Sequence, residues 1–273
     1  MSVAHDHGGF GELLRGWRRR RHLSQEALAH EAAISQRHLS CLESGRASPS
    51  REMILHLGHA LDVPLRERNL LLTAAGFAPA YATGSLEGPE LAAVSRAVDL
   101  MLGGLSPCPA IAVDRDWNLV RANDAALATF SAFVDLDLAL ARTDPSGTGN
   151  VLRLLFHPEG LRPAIADWPR TAPILLDRLR REVAADPAWR LGPSLLRDLT
   201  ELAGVGERRT PVLEAPDPVL TMALERDGLR LDLFTTVATF GTAQDVTVQE
   251  LRIETFFPAD DATRAALAQL MGN

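Results

Sequence analysis

Residues 23–49 read LSQEALAHEAAISQRHLSCLESGRASP, and this stretch predicts two short helices separated by a tight turn. Ser24 is a favourable N-cap for a first helix over 25–31, because its hydroxyl oxygen can accept a hydrogen bond from a backbone N–H of the first turn. Ser35 is the corresponding cap of a second helix, which Gly45 ends. The first domain is therefore organised around a helix, a turn and a helix.

The second of these helices has two chemically different faces. At 100° per residue, Leu39 and Leu42 point in one direction, toward a core. Arg and Gln side chains read guanine and adenine in a bidentate manner and Ser is permissive, so a polar face of these residues suits base edges in the major groove. A solvated helical hairpin is the alternative interpretation of the same face. The face carries Gln36, Arg37, Ser40, Cys41 and Ser44.

The surrounding sequence favours DNA binding over a solvated hairpin. The patterns S-Q-x-x-L-A, I-S and L-x-x-L-E-x-G-R, followed by Pro49 and a further apolar helix, resemble the Cro/repressor-like (XRE) helix-turn-helix family. Ala33 stands where that family usually has Gly, which predicts a slightly strained turn. The resemblance implies that a double-stranded DNA operator is contacted by Gln25, Ser35, Gln36, Arg37, Ser40, Cys41 and Ser44, with Arg46 and Ser48 as candidate phosphate contacts.

Five helices are predicted to complete this all-α domain over 10–79. The first helix has an apolar face at helical spacing and closes with four Arg at 18–21. These cations suit the negative end of the helix dipole, and they also lie where the first helix of the family approaches the DNA backbone. Ser48 or Ser50 caps a fourth helix, and a fifth runs over 65–75.

Length and composition allow two domains. A chain of 273 residues with 46% hydrophobic and 23% charged residues is ordinary for a soluble globular protein. No apolar run approaches 18 residues and the first ten residues lack an apolar signal core, so we expect a cytoplasmic protein without a membrane span. Cys41 and Cys108 lack the CxxC spacing of a metal or redox motif, so both are expected to be reduced thiols.

The net charge of −7 is distributed unevenly. Residues 1–79 contain 10 Arg against 8 acidic residues, whereas the remainder contains 18 Arg against 27. The predicted DNA-binding end is thus locally cationic. The acidic remainder should discourage tight non-specific binding, which depends on the neutralisation of phosphates.

A linker and a connecting helix are predicted over 80–105. Pro and Gly residues interrupt the pattern between Pro79 and Pro89, and apolar residues then recur at helical spacing from Leu91 to Leu102. This helix either packs on the second domain or forms a dimer contact, and the sequence leaves both open. A homodimer on a pseudo-palindromic operator is expected, because one reader helix covers only a few base pairs.

Strand signals begin after this helix. Residues 110–113 and 119–122 flank a turn, and Asp227-Gly228 is a strong hairpin signal between two later strands. The pattern predicts an α+β domain of the PAS type over 106–273, with a five-stranded antiparallel sheet and a helical insert. Further strands are predicted at 219–225, 229–237 and 248–257, and helices at 123–133, 151–156, 160–168, 172–185, 188–203 and 262–271.

Four segments of the sequence support a more specific expectation than a PAS-type domain. They resemble the MmyB-like transcription regulators, whose C-terminal half is a PAS-like ligand-binding domain, and the resemblance covers nearly the whole chain except 130–150 and 204–218. The resemblance implies a ligand with an acyl, fatty-acid-like chain. The segments are PSREMILHLGHALDVPLRERNLLLTAAGFAPAY, PCPAIAVDRDWNLVRAN, NVLRLLFHPEGLRP and ELRIETFFPADDAT.

A ligand pocket is expected between the sheet and the helical insert. No cofactor motif is visible, so the expected ligand is largely apolar, with Arg153 or Arg162 available to an anionic head group. The alternative is that the aromatic residues merely fill a core and both Arg lie at the surface. The aromatic candidates for the pocket are Phe156, Trp168, Phe234 and Phe256.

Catalytic constellations are not evident in the sequence. The Gly147-Thr148-Gly149 stretch lacks the third Gly of a dinucleotide fingerprint, and no G-x-S-x-G, H-E-x-x-H or P-loop pattern occurs. We therefore predict no catalytic residue, no metal and no cofactor. A second class of function stays open, in which the C-terminal half binds a protein partner, as in an antitoxin or adaptor. A contiguous cavity would favour the sensor, and a filled core with an exposed apolar patch would favour the adaptor.

Overall fold

The computed structural model of the chain divides into two compact units. The first unit is Met1–Ser85 with Gly241–Gln249, and the second is Leu86–Phe240 with Glu250–Asn273. The sequence-based division at 79 and 105 remains a prediction. The structure describes residues 9–186, 189–204 and 221–272, so the start of the strand predicted at 219–225 and of the helix predicted at 188–203 lies outside the described residues.

The first unit contains the five helices that the sequence predicts. Its turn-forming residue Ala33 has a φ of +49°, so the expected strain at this position is confirmed. The caps are also confirmed, since the Oγ atoms of Ser24, Ser35 and Ser50 accept backbone hydrogen bonds of 3.0, 3.1 and 3.2 Å. The helices are α1 Phe10–Arg20, α2 Gln25–Glu31, α3 Gln36–Glu43, α4 Arg51–Ala60 and α5 Leu65–Ala74.

The core of this unit is built from the apolar faces of all five helices. Leu39 and Leu42 of α3 are fully buried, as the helical wheel predicts. Gly11 lets α1 approach α3 closely, because a Cβ atom there would lie 2.6 Å from the carbonyl oxygen of Glu43. The buried members include Leu14, Trp17, Leu28, Leu39, Leu42, Ile54, Leu57, Leu71 and Leu72.

The segment at 241–249 belongs to the first unit although it lies between two strands of the second. Gln249 accepts a hydrogen bond of 2.7 Å from the backbone N–H of Leu65, and Thr247 donates one of 2.7 Å to the carbonyl of Gly84. The prediction of a strand over 248–257 is therefore wrong at its start. Asp245 accepts from the backbone N–H of Thr247 at 2.8 Å and begins a helix, α12 Val246–Glu250.

The second unit contains a five-stranded antiparallel sheet in the order β2-β1-β5-β4-β3, and the predicted α+β fold is confirmed. Asp227 and Gly228 have φ values of +51° and +83°, and Arg226 pairs with Leu229, so the hairpin turn is the expected two-residue type. The strands are β1 Ala110–Val113, β2 Leu119–Ala122, β3 Thr221–Arg226, β4 Leu229–Thr239 and β5 Arg252–Pro258.

Several helices of this unit differ from the sequence prediction. The helix expected at 160–168 is only a 3-10 turn at Arg162–Ala164, because Asp167 caps a new helix at Trp168. The helix predicted at 172–185 therefore begins four residues earlier and includes Pro169 in its first turn, and a helix capped by Asp135 was not predicted. The helices are α6 Ala92–Gly104, α7 Asp124–Ser131, α8 Leu136–Thr143, α9 Val151–Phe156, α10 Trp168–Ala185, α11 Gly192–Ala203 and α13 Asp261–Gly272.

None of the helices in the described ranges is long and apolar enough to cross a membrane.

Candidate functional site

The position of α3 is set by a buried ion pair at its C-terminal end. Arg18 of α1 donates from Nε to Oε1 of Glu43 at 2.6 Å and from Nη2 to Oε2 at 3.0 Å. Gln25 of α2 donates to the same Oε2 at 2.8 Å, and Arg15 donates to the carbonyl of Glu43 at 2.9 Å. The Glu in the L-E-x-G-R pattern thus ties α3 to both preceding helices.

The electrostatics of this pair follow from its surroundings. Burial alone would raise the pKa of Glu43, but its hydrogen bonds from Arg18 and Gln25 and the positive charges of Arg18 and Arg15 lower the pKa below its usual value. The pKa of Arg18 is raised, chiefly by its hydrogen bond to Glu43. Both groups are therefore charged, and the buried charge of each is compensated by the other.

The opposite face of α3 is open. Gln36, Arg37 and Ser44 are exposed, while Ser40 and Cys41 are half-buried beside them. The hydroxyl of Ser44 donates to the carbonyl of Ser40 at 2.8 Å, so part of its hydrogen-bonding capacity is used inside the helix. The structure thus places the five predicted groove-facing side chains on the outer side of a fixed helix.

Other predicted DNA contacts have structural partners as well. Gln25 is half-buried and holds Glu43, and Ser35 is exposed but serves as the N-cap of α3. Arg46 and Ser48 are exposed in the following loop, where Arg46 donates from Nε to the hydroxyl of Ser44 at 2.9 Å. All four remain predicted DNA contacts.

The four Arg at 18–21 divide into two kinds. Arg18 is buried, and Arg21 is bound to the carbonyl of Leu61 at 2.8 Å. Arg19 and Arg20 are exposed. These two exposed side chains are the members of the run with a guanidinium available to a phosphate at the surface.

A large cavity lies in the second unit, between the sheet and the helices α7 to α10. Its volume is about 1150 Å³ and its walls are mainly apolar. The sheet contributes mainly Leu, β-branched and aromatic side chains, and the helices contribute mainly Leu side chains. The lining includes Ile111, Leu224, Leu233, Thr235 and Phe256 from the sheet and Ala126, Phe130, Leu140, Leu152, Leu155, Leu175 and Leu179 from the helices.

Two of the four predicted aromatic residues line this cavity. Phe156 forms one wall, and Phe256 packs edge-on against Phe130 with ring centroids 5.2 Å apart. Trp168 lies behind Phe156 at 5.1 Å and donates from Nε1 to the carbonyl of Ala203. Trp168 therefore supports the wall and is not part of the lining.

Phe234 lies on the other face of the sheet. Leu233 and Thr235 line the cavity, and side chains alternate along a strand, so Phe234 points away from it. Its ring stacks on Phe257 at 5.5 Å.

The two Arg predicted to meet an anionic head group are engaged elsewhere. Arg153 donates from Nη2 to Asp198 at 2.6 Å. Arg162 donates from Nη1 to the carbonyl of Leu202 at 2.6 Å and lies 5.1 Å from the ring centroid of Trp168. Neither side chain is in the lining of the cavity.

The sequence reading missed a charged cluster in the cavity wall. Arg178 donates from Nη1 to Glu254 at 3.0 Å and from Nε to Glu182 at 3.2 Å, and it lies 4.9 Å from the ring centroid of Trp117. Arg252 donates to Glu182 at 2.9 Å. Apolar and polar residues alternate along 251–254, and Glu254 is one of the polar positions, yet it is only 7% exposed and faces the cavity.

The two carboxylates keep Arg178 charged. Burial tends to lower its pKa, but Glu254 and Glu182 raise it by charge and hydrogen bonding, so the pKa of Arg178 is raised overall. The cluster contains two guanidinium groups and two carboxylates, and its formal charge is zero. Among the residues that the structure describes, no group of three or more His, Cys, Asp and Glu side chains is arranged to hold a metal ion.

Two families of known proteins match the two units. The family model described as the MmyB-like transcription regulator ligand binding domain matches residues 94–270. A model of a helix-turn-helix domain matches residues 10–71. A comparison with curated proteins gave no match.

Proposed function

Because the chain belongs to the MmyB-like transcription regulators, we propose that it reads a specific operator with α3 and senses an apolar ligand in the cavity of its second unit. The two matched families identify the chain as a DNA-binding transcription regulator with a ligand-binding domain. The operator specificity and the fatty-acid-like nature of the ligand are the proposed parts.

The observation that carries the ligand proposal is the contiguous cavity of about 1150 Å³. Small-molecule sites commonly have volumes of about 300–1000 Å³ and bury most of the ligand. The cavity is slightly larger than that range and its walls are mainly apolar, which suits a long hydrocarbon chain. A contiguous cavity also favours a sensor over the adaptor or antitoxin alternative, which requires a filled core.

The observation that supports DNA reading is the fixed position of α3. Its inner face is buried and its end is held by Glu43, so the exposed Gln36 and Arg37 project from a rigid element. Rigid presentation matters because bidentate base contacts require both partners in a fixed geometry. Arg46 and Ser48 are proposed to contact phosphate.

We propose that the active form is a homodimer and that α6 contributes to the contact between its subunits. Leu100 is 77% exposed and Met101 is 41% exposed on this helix, while Val98 and Leu102 face the protein core. Burial of two such apolar side chains against a second copy would remove them from water.

Native mass spectrometry of the full-length protein, purified from its own host and mixed with an operator duplex, tests the proposal. We expect a 2:1 protein-to-duplex complex and an added mass of an acyl-type molecule on the protein. A 1:1 complex would contradict the dimer. Absence of both an added mass and binding of any long-chain probe would contradict the sensor.

A further inference from the structure

The stretch of chain between β4 and β5 joins the cavity wall to the first unit covalently. Leu233 and Thr235 of β4 and Glu254 and Phe256 of β5 line the cavity, and Thr235 pairs with Phe256 across the two strands. Between these strands, residues Gly241–Gln249 belong to the first unit. One continuous stretch of backbone therefore forms part of the cavity wall and part of the DNA-binding unit.

Gln249 provides a cap that α5 lacks in its own sequence. The residue before α5 is Pro64, which makes no side-chain cap, whereas α2, α3 and α4 each begin after a Ser that caps them. The Oε1 atom of Gln249 accepts a hydrogen bond of 2.7 Å from the backbone N–H of Leu65, the first residue of α5. A helix leaves this N–H without a partner of its own, so Gln249 completes the start of α5 from 184 positions away.

The segment is also tied to the chain that follows α5. The backbone N–H of Val246 donates to the carbonyl of Ala82 at 2.9 Å, and the hydroxyl of Thr247 donates to the carbonyl of Gly84 at 2.7 Å. The carboxylate of Asp245 accepts from the backbone N–H of Gly84 at 3.2 Å. Val246 is fully buried. The segment is therefore a packed and hydrogen-bonded part of the first unit, and a change in its position requires these bonds to break.

The helix α5 connects this segment to α3 in two steps. It packs against α1 and α4, with Leu71 and Leu72 buried in the core that the helices share. The helix α1 carries Arg18, which holds Glu43 at the end of α3. A change at the first turn of α5 can therefore reach α3 through packed helices and a buried ion pair, and contacts of these kinds carry coupling between distant sites.

The other end of the segment continues into the charged cluster of the cavity wall. Five positions after Gln249, Glu254 accepts a hydrogen bond of 3.0 Å from Arg178 of α10, and between them Arg252 donates to Glu182 of α10 at 2.9 Å. Arg178, Glu182 and Glu254 line the cavity. A ligand that fills the cavity contacts the side chains that fix the start of β5, so the position of β5 and of the residues before it affects the free energy of ligand binding.

We propose that residues 241–249 carry the coupling between the cavity and α3, and that Gln249 is the residue through which they act on α5. The inference rests on the proposed function, because it requires a ligand in the cavity and an operator on α3. The coupling has two states, one in which Gln249 caps α5 and one in which it does not. A ligand shifts the ratio of these states only by as much as it binds one of them better than the other.

Fluorescence anisotropy of the full-length protein on a selected operator, with and without saturating decanoate or decanol, measures the coupling factor as the ratio of the two operator affinities. We expect a factor of about 5–150 for the unaltered protein and below about 2 for Gln249→Leu, because Leu cannot accept the hydrogen bond from Leu65. Gln249→Leu should still bind the probe in isothermal titration calorimetry, since Gln249 is outside the cavity lining.

Two further variants separate the hydrogen bond from general effects of substitution. Gln249→Glu keeps an acceptor oxygen at the start of α5, where a negative charge is favourable, and should retain the coupling. Gln269→Leu makes the same substitution at an exposed position of α13 and should also retain it. Undiminished coupling in folded Gln249→Leu, or loss of probe binding by that variant, would overturn the role of the segment and leave the proposed sensor intact. Absence of coupling in the unaltered protein would overturn both.

Amide exchange followed by NMR decides the question if Gln249→Leu does not fold. In the unaltered protein, binding of the probe should change the exchange rate of the Leu65 N–H at least about threefold, because its bond to Gln249 is made in one state and broken in the other. The N–H of Ala27, which the Ser24 hydroxyl caps at 3.0 Å, should change by less than about twofold. Equal exchange of the Leu65 N–H with and without the probe would overturn the proposal.

Discussion

Arg18 and Glu43 form a two-pronged ion pair whose nitrogen–oxygen distances are 2.6 and 3.0 Å, and the Glu43 side chain is fully buried. The two residues are 25 positions apart and belong to α1 and α3. The pair therefore fixes the reader helix against the first helix of the unit. It links the L-E-x-G-R pattern of the sequence to the geometry on which base reading depends.

Replacement of Arg18 by Ala should destabilise the first unit by about 3 kcal/mol, because it leaves the Glu43 carboxylate buried without its main partner. Urea unfolding followed by circular dichroism measures the change. The exposed neighbour provides the matched control, since Arg19→Ala should change the free energy of unfolding by less than about 0.5 kcal/mol. Equal stabilities for the two variants would show that the ion pair does not hold α3.

Replacement of Arg37 by Ala should cost about 1–3 kcal/mol of binding at the operator and relax the preference at one base position. Replacement of Arg46 by Ala should instead weaken binding to all sequences about equally and flatten the salt dependence, as expected for a lost phosphate contact. Fluorescence anisotropy with an operator selected from random duplexes, and with an unselected duplex, separates the two effects. Equal losses on both duplexes for Arg37→Ala would remove Arg37 from the base-reading set.

The turn between α2 and α3 should be relieved by Gly. Ala33 has a φ of +49°, a conformation that costs a non-glycine residue about 1–2 kcal/mol, while Gly adds about 0.5–1 kcal/mol of backbone entropy to the unfolded chain. Ala33→Gly should therefore stabilise the first unit by up to about 1 kcal/mol. Ala33→Val, with a β-branched side chain at the same φ, should destabilise it. Thermal unfolding of both variants is the measurement, and a stabilising Val would refute the strain.

Local features of the sequence were sufficient to predict the helices of the first unit and the Asp227-Gly228 hairpin. The Ser caps act within three residues, and Asp227-Gly228 sets a turn by its own backbone preferences, so both could be identified without tertiary information. The start of β5 was misjudged for a related reason. Asp245 caps α12, but Val248 and the residues after it also alternate like a strand.

The ligand site was harder to predict because the direction in which a side chain points depends on tertiary structure. Arg153 lies in α9 and Arg162 in a 3-10 turn. Their side chains point toward Asp198 and the carbonyl of Leu202 because α11 packs beside them. Glu254 occupies a polar position of an alternating strand, and this pattern predicts exposure to solvent. Its burial is tolerated because Arg178 of α10 donates a hydrogen bond to it. The local sequence pattern does not indicate a buried charge when its partner is far away in the sequence.

Acid should remove a stabilising contribution at Asp144. Burial tends to raise the pKa of this carboxyl, but hydrogen bonds from Ser146, Thr148 and the backbone of Asn150 lower the pKa to about 2. A folded pKa below the unfolded value of about 4 means that the contribution is complete above pH 4 and disappears as the pH falls through 2.

Asp144→Asn should therefore lower the free energy of unfolding by about 2 kcal/mol at pH 7 and by much less near pH 2. Asp99→Asn is the control, because the side chain of Asp99 is 61% exposed and its nearest cation, Arg121, is 3.9 Å away. Urea unfolding at several pH values compares the two. A deficit of equal size at pH 7 and pH 2 would show that the Asp144 charge is not the cause.

Occupation of the cavity should change operator affinity. Such coupling requires the ligand to bind the DNA-competent and DNA-incompetent states with different affinities, and typical coupling is about 1–3 kcal/mol, or about 5- to 150-fold. By linkage, operator DNA must change ligand affinity by the same factor.

Leu152→Trp should reduce ligand binding and coupling together, because Leu152 lines the cavity, while leaving the affinity of the ligand-free protein for DNA unchanged. Leu138→Trp, at an exposed position of α8, should preserve both. Anisotropy titrations of the operator with and without decanol measure one side of the cycle, and calorimetry with and without operator measures the other. A ligand that occupies the cavity but leaves operator affinity unchanged, with ligand affinity equally indifferent to DNA, would refute the sensor.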